Sequence, residues 1–123
     1  MVKIHESAEN YLETILILKR RNGFVRAVDI ANELEYSKPS VSVAMKNLRE
    51  NGCIETDADG SIALTEKGQQ IAEAMYERHT LLVGWLVSLG VPAEIAAEDA
   101  CRIEHVLSPE TFEAIKRHAK QSK

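Results

Sequence analysis

"VRAVDIANELEYSKPSVSVAMKNLRENGCIETDADGSIALT", residues 25–65, decides the fold. Val28, Ile30, Ala31 and Leu34 put an apolar face on a short helix. Ser37 then stands as an N-cap ahead of a second helix. Pro39 fits that helix's first turn, where a missing N–H loses no helical partner. Val41, Ala44, Met45 and Leu48 form its inner face, and Asn51-Gly52 stops it. Ile54, Ile62 and Leu64 follow in two short runs around "DADG", the pattern of a β-hairpin. Two short helices and a two-stranded ribbon, in that order, are the plan of a winged helix.

The flanks are helical. Upstream, "ESAENYLETILILKRR" carries Tyr11, Leu12, Ile15 and Leu18 on one stripe, with Ser7 as a cap and Asn22-Gly23 as its stop. Downstream, Thr65 caps a long helix that runs to Gly90. Pro92 opens another, through about Leu107, and Ser108 and Pro109 cap a last one. The expected fold is therefore mainly α with a small β-hairpin wing. A winged helix-turn-helix unit over residues 1–73 precedes a helical unit over 74–123.

Composition narrows the function. The 123 residues are 45% hydrophobic, enough for a core, and no apolar run approaches the roughly 18 residues of a membrane span. Neither a secretory leader nor a disulfide framework is visible, since Cys53 and Cys101 are the only cysteines, so a cytoplasmic, reducing home is expected. A net charge of −4 argues against binding nucleic acid by bulk positive charge, although charge can be segregated on one face. No H-E-x-x-H, nucleophile elbow or phosphate-cradling glycine loop points to an enzyme, and no small organic substrate is expected.

In a helix-turn-helix, the start of the second helix enters the major groove. Here that start is Ser37, Lys38, Pro39, Ser40, Ser42 and Val43, with Lys46 one turn on and Arg26 placed to clamp the DNA backbone. Small hydroxyls suit a close helix–groove approach. Each residue alone reads more readily as a capping serine or a solvated lysine; the cluster on an exposed helix start favours DNA. No first-turn arginine is present to fork onto guanine, so methyl contacts from Pro39 and Val43 and the shape of the duplex carry the discrimination. The wing tip "TDADG" holds two acids and no base, a poor phosphate holder.

A second constellation lies in "DACRIEHVLSP", residues 99–109. Cys101, Glu104 and His105 stand at i, i+3 and i+4, a spacing that brings three side chains to one helical face. Thiolate, carboxylate and imidazole suit Fe²⁺, Co²⁺, Ni²⁺ or Zn²⁺ rather than Mg²⁺. Three ligands on one helix rarely complete a coordination sphere. His79, on an otherwise apolar stripe with Met75, Leu82 and Leu86, and Asn10 with Glu13 on the first helix are the further candidates. Taken singly, His79 reads as a semi-buried histidine, Cys101 as a small core residue, and Glu104-His105 as a solvated face.

Together, "AENYLETI", "DIANELEYSKPSVSVAMKNL", "LTEKGQQIA", "ERHTLL" and "DACRIEHVLS" resemble the diphtheria-toxin-repressor and manganese-transport-regulator group of metal-activated bacterial repressors, over about residues 7–118. The resemblance implies a DNA-binding domain over residues 1–73, a helical metal-binding and dimerisation domain over 74–123, and a homodimer that binds a palindromic operator when Fe²⁺ or Mn²⁺ is loaded. It implies metal ligands at Cys101, Glu104, His105 and His79, and at Glu13 as in the manganese branch. Asn10 stands where the iron branch has methionine and the manganese branch aspartate. Val83 and Ala97 occupy two positions of the iron branch's ancillary site and cannot ligate, so Glu13 and His79, sharing Glu104, would build the second site. The SH3-like domain of longer members is not expected in this chain. Cys101 makes Fe²⁺ the first expectation and Mn²⁺ the second. The competing expectation is a winged-helix regulator that responds to a non-metal ligand.

Overall fold

The computed structural model describes residues 2–121, with side chains from residue 8 onward. Six helices and one hairpin follow in the order α1 (Val2–Asn22), α2 (Ala27–Leu34), α3 (Lys38–Glu50), β1 (Ile54–Thr56), β2 (Ile62–Leu64), α4 (Glu66–Ser88), α5 (Ala93–Ile103) and α6 (Pro109–Gln121). They form two compact units, Lys3–Glu73 and Ala74–Lys123. Among the described residues, no helix is long and apolar enough to cross a membrane.

The first unit is built on the stripe of α1. Tyr11, Leu12, Ile15, Leu16 and Leu18 are buried against Ile30 and Ala31 of α2, Val41, Met45 and Leu48 of α3, and Ile54 and Ile62 of the hairpin. Glycine closes α1: the Gly23 N–H donates to the Lys19 carbonyl (2.8 Å) at a φ of 88°. Because α1 begins at Val2, Ser7 sits inside the helix and does not cap it.

α2 ends at Glu35, which is held in the left-handed region with φ 58°. That single residue turns the chain into α3. Ser37 caps α3: the Ser40 N–H donates to its Oγ at 3.3 Å, and Pro39 occupies the first turn.

The hairpin is antiparallel, with Ile54 opposite Leu64 and Thr56 opposite Ile62. The Ile62 N–H also donates to the Val25 carbonyl (2.8 Å), which ties the wing to the segment before α2. At the wing's base, the Thr65 hydroxyl donates to the Gly52 carbonyl (2.6 Å) and accepts from the Gly68 N–H (3.2 Å). Gly68 is required there, because a Cβ would run into the Cys53 carbonyl.

The second unit begins within α4. Met75 and Leu82 are buried along that helix, with Ala96 and Ala100 of α5 and Phe112 of α6. α5 ends at Ile103, earlier than the sequence suggests, and residues 104–106 form a turn. Ser108 then caps α6, accepting from the Thr111 N–H at 3.1 Å, with Pro109 as its first residue.

Candidate metal centre and nucleic-acid interface

Each unit carries one set of candidate residues. In the first, α2, the turn at Glu35 and α3 hold the start of α3 outward. Ser37, Lys38, Pro39, Ser40, Ser42, Val43 and Lys46 are all exposed, and Val43 is 61% exposed. The alternation follows from helical periodicity: Val41, Met45 and Leu48 point inward, and Ser42, Val43 and Lys46 lie between them.

Arg26 is exposed as well, but it is engaged. Its Nε donates to the Asp59 carbonyl (3.2 Å), its Nη2 lies 3.5 Å from the Asp59 carboxylate, and its guanidinium rests over the Phe24 ring, 5.3 Å from the centroid. The wing acid therefore holds the arginine expected to clamp DNA. Asp59 is pushed below the ordinary carboxyl value of 3.8, chiefly by its hydrogen bond with Asp57, then by the Ser61 N–H, with Arg26 adding a smaller effect.

In the second unit, α4 and the end of α5 bring His79, Glu104 and His105 together. Glu104 is fully buried, at 0% exposure. His79 Nδ1 lies 2.8 Å from Glu104 Oε1. The contact pairs an imidazole nitrogen with a carboxyl oxygen and leaves the other ring nitrogen, Nε2, outside it. His105 Nε2 lies 3.7 Å from Glu104 Oε2, beyond hydrogen-bonding distance, and the His105 side chain is 5% exposed. Glu104 Oε2 is buried with no hydrogen-bond partner. Leaving a carboxylate oxygen unsatisfied in a low-dielectric interior is costly. A divalent cation would satisfy it, and a carboxylate with two imidazoles is a donor set such ions accept.

The remaining candidates are placed differently. Cys101 is exposed and Glu104 is buried; Glu104 closes α5 with helical backbone angles, its N–H donating to the Ala100 carbonyl at 2.9 Å. In the first unit, Glu13 is buried at 5% exposure, a rare position for a carboxylate, and Asn10 is half-buried. Val83 and Ala97 are half-buried apolar residues.

Sequence reasoning missed Arg78. Its Nη1 donates to the carbonyls of Glu104 (2.9 Å) and Leu107 (3.0 Å), and its guanidinium lies 5.1 Å from the centroid of the Phe112 ring. The one available signal was its position next to His79; the partner carbonyls have no side-chain signature.

Both units match known protein families. Residues 3–62 match the model for the iron dependent repressor N-terminal DNA binding domain. Residues 65–123 match that for the iron dependent repressor metal binding and dimerisation domain. The chain belongs to the iron-dependent repressor family. Members of that family are transcriptional repressors and not enzymes. This iron-dependent repressor relative is 38% identical over 111 residues to the transcriptional regulator MntR of Escherichia coli O6:H1, covering 90% of this chain and 72% of that one. It is 34% identical over 109 residues to the iron-dependent repressor IdeR of Mycobacterium bovis, covering 88% and 47%. Among solved structures, the manganese regulator SloR superposes with a TM-score of 0.82 at 29% identity, covering 92% of this chain and 53% of that one. A manganese-dependent transcriptional repressor in complex with manganese gives 0.84 at 27% identity, covering 92% and 52%. The chain thus spans about half the length of these solved relatives.

Proposed function

We propose that this chain is a repressor that binds operator DNA as a homodimer when a divalent metal is loaded, with Fe²⁺ or Mn²⁺ as the ion. The observation that carries the reading is Glu104: a fully buried carboxylate between two histidines, one oxygen of which has no hydrogen-bond partner. A bound ion would supply positive charge and fixed coordination there. His79, Glu104 and His105 form the centre of the ligand set. Glu13 and Asn10 are the ligands proposed from the first unit, supported by the burial of Glu13 and by the family resemblance. Cys101 is the proposed sulfur ligand. Its exposure leaves the carboxylate–imidazole set as the core of the site, and oxygen and nitrogen donors suit Mn²⁺ as well as Fe²⁺.

Ligands drawn from two units link metal binding to their arrangement. An arrangement that presents the full set is stabilised by the ion, and the reading head is selected with it. Ser37, Lys38, Pro39, Ser40, Ser42, Val43 and Lys46 are the proposed DNA contacts, with Arg26 joining once it leaves Asp59. Self-association is supported by the apolar residues that the second unit leaves exposed, among them Val87, Leu89, Ile95 and Val106.

One observation favours the competing reading of a non-metal effector. A groove of about 350 Å³ lined by Leu81, Gly84, Trp85 and Ala119 has room for a small apolar molecule. Anaerobic calorimetry decides between them. Fe²⁺ and Mn²⁺ should each bind the wild-type chain, and His105→Ala and Glu104→Gln should each lose at least tenfold in affinity while remaining folded. Unchanged binding in both variants contradicts the metal reading. For the second site, Glu13→Ala with His79→Ala should remove one equivalent of metal per chain; an unaltered stoichiometry rejects it.

A further inference from the structure

We propose that Arg78 is a positioning residue of the metal centre, setting where Glu104 and His105 stand; the inference rests on the metal reading above. Arg78 and His79 are neighbours on α4, and between them they hold Glu104 at both of its ends. His79 Nδ1 lies 2.8 Å from the carboxyl oxygen Oε1. Arg78 Nη1 donates to the main-chain carbonyl of the same residue at 2.9 Å.

The location explains why a guanidinium is needed. α5 ends at Ile103, so Glu104 and His105 lie where the helical ladder stops and carbonyls lack their usual N–H donors. A ligand on an unbraced helix end is free to fray. Arg78 bonds the carbonyls on either side of this turn, Glu104 and Leu107, with one charged nitrogen. Hydrogen bonds from a charged donor are stronger than neutral ones. The guanidinium in turn lies over Phe112, which is 4% exposed and sits in the first turns of α6. One side chain of α4 therefore fixes the end of α5 and the start of α6 relative to the helix that carries His79.

Arginine is suited to this task because its planar head bonds through its edge while its face packs on a ring. Lysine could reach a carbonyl but not do both. Groups that orient ligands without touching the metal typically cost roughly 10–100-fold in affinity when removed.

The test uses the full chain with Mn²⁺ alone as the probe. Arg78→Met keeps an apolar stem against Phe112 and removes every donor; Arg78→Lys restores a single ammonium. Mn²⁺ affinity is measured by calorimetry, alongside metal-free thermal unfolding and amide hydrogen exchange over residues 104–108. We expect Arg78→Met to bind Mn²⁺ at least tenfold more weakly, with faster exchange in that turn, and Arg78→Lys to fall between it and wild type. A lowered melting temperature with wild-type Mn²⁺ affinity in both variants overturns the proposal, since Arg78 would then only brace the fold. Should Arg78→Met fail to fold, Arg78→Lys decides alone: wild-type affinity overturns the proposal and a weakened one supports it. Loss of Mn²⁺ and Fe²⁺ binding by the wild-type chain itself would instead remove the metal reading, an outcome visible before any variant is made.

Discussion

The two units use polar residues in opposite ways. The first displays them: the start of α3 is exposed from Ser37 to Ser40, over a core made of aliphatic side chains. The second hides its polar set, with Glu104 at 0% exposure and His105 nearly as buried. Displayed residues cost the fold almost nothing and can be exchanged freely. Buried ones are held against a desolvation penalty, so they tie function to stability.

The largest expected effect lies in the second unit. Glu104→Gln should weaken Mn²⁺ binding by on the order of 100-fold, since a neutral amide would replace the proposed anionic ligand. Without metal, the same variant should melt at or above the wild-type temperature, because a buried charge with an unsatisfied oxygen has been removed. A metal-free melting temperature well below wild type would show that the carboxylate is structural and blur the contrast.

Gly68→Ala probes the first unit's scaffold. Its methyl would meet the Cys53 carbonyl, so a loss of about 1–3 kcal/mol is expected in denaturant unfolding. Val43→Ser and Lys46→Ala probe its display. Both residues are exposed, and each variant should keep unfolding stability within about 0.5 kcal/mol of wild type while weakening DNA binding. Stability loss in these variants would mean that the reading face is also part of the fold.

The smallest effect is in the wing. Asp59 titrates below 3.8 in the folded chain, so its favourable contribution is complete above that value and is lost as pH falls through the lowered one. Asp59→Asn should therefore leave the folded chain slightly less stable than wild type at pH 7, and the difference should vanish in strong acid. It should also release Arg26 and strengthen binding to DNA of any sequence, measured at fixed salt.

The same contrast sets what could be read from the sequence. The caps at Ser37, Thr65 and Ser108, the stop at Gly23 and the hairpin around Asp57 and Gly60 are local events with local chemistry, and the structure places them as the pattern suggests. The exposed start of α3 followed from helical periodicity alone. The end of α5 did not. The pattern carries a helix to about Leu107, whereas α5 closes at Ile103, with Cys101 exposed and Glu104 buried. Nothing in the local pattern signals that break, because the groups that hold it are the carbonyls of Glu104 and Leu107 bound by a distant arginine. The engagement of Arg26 by Asp59 escaped for the same reason: it joins residues far apart in the chain through a hairpin whose twist the sequence does not specify.

The most direct test of a buried metal centre governing a displayed DNA-reading face is anaerobic binding to a duplex selected from a random pool with Mn²⁺ present. Binding should rise at least tenfold on addition of Mn²⁺ or Fe²⁺, return to the metal-free level with chelator, and show no metal response in Glu104→Gln. Equal binding with metal, without it, and in Glu104→Gln would contradict the account.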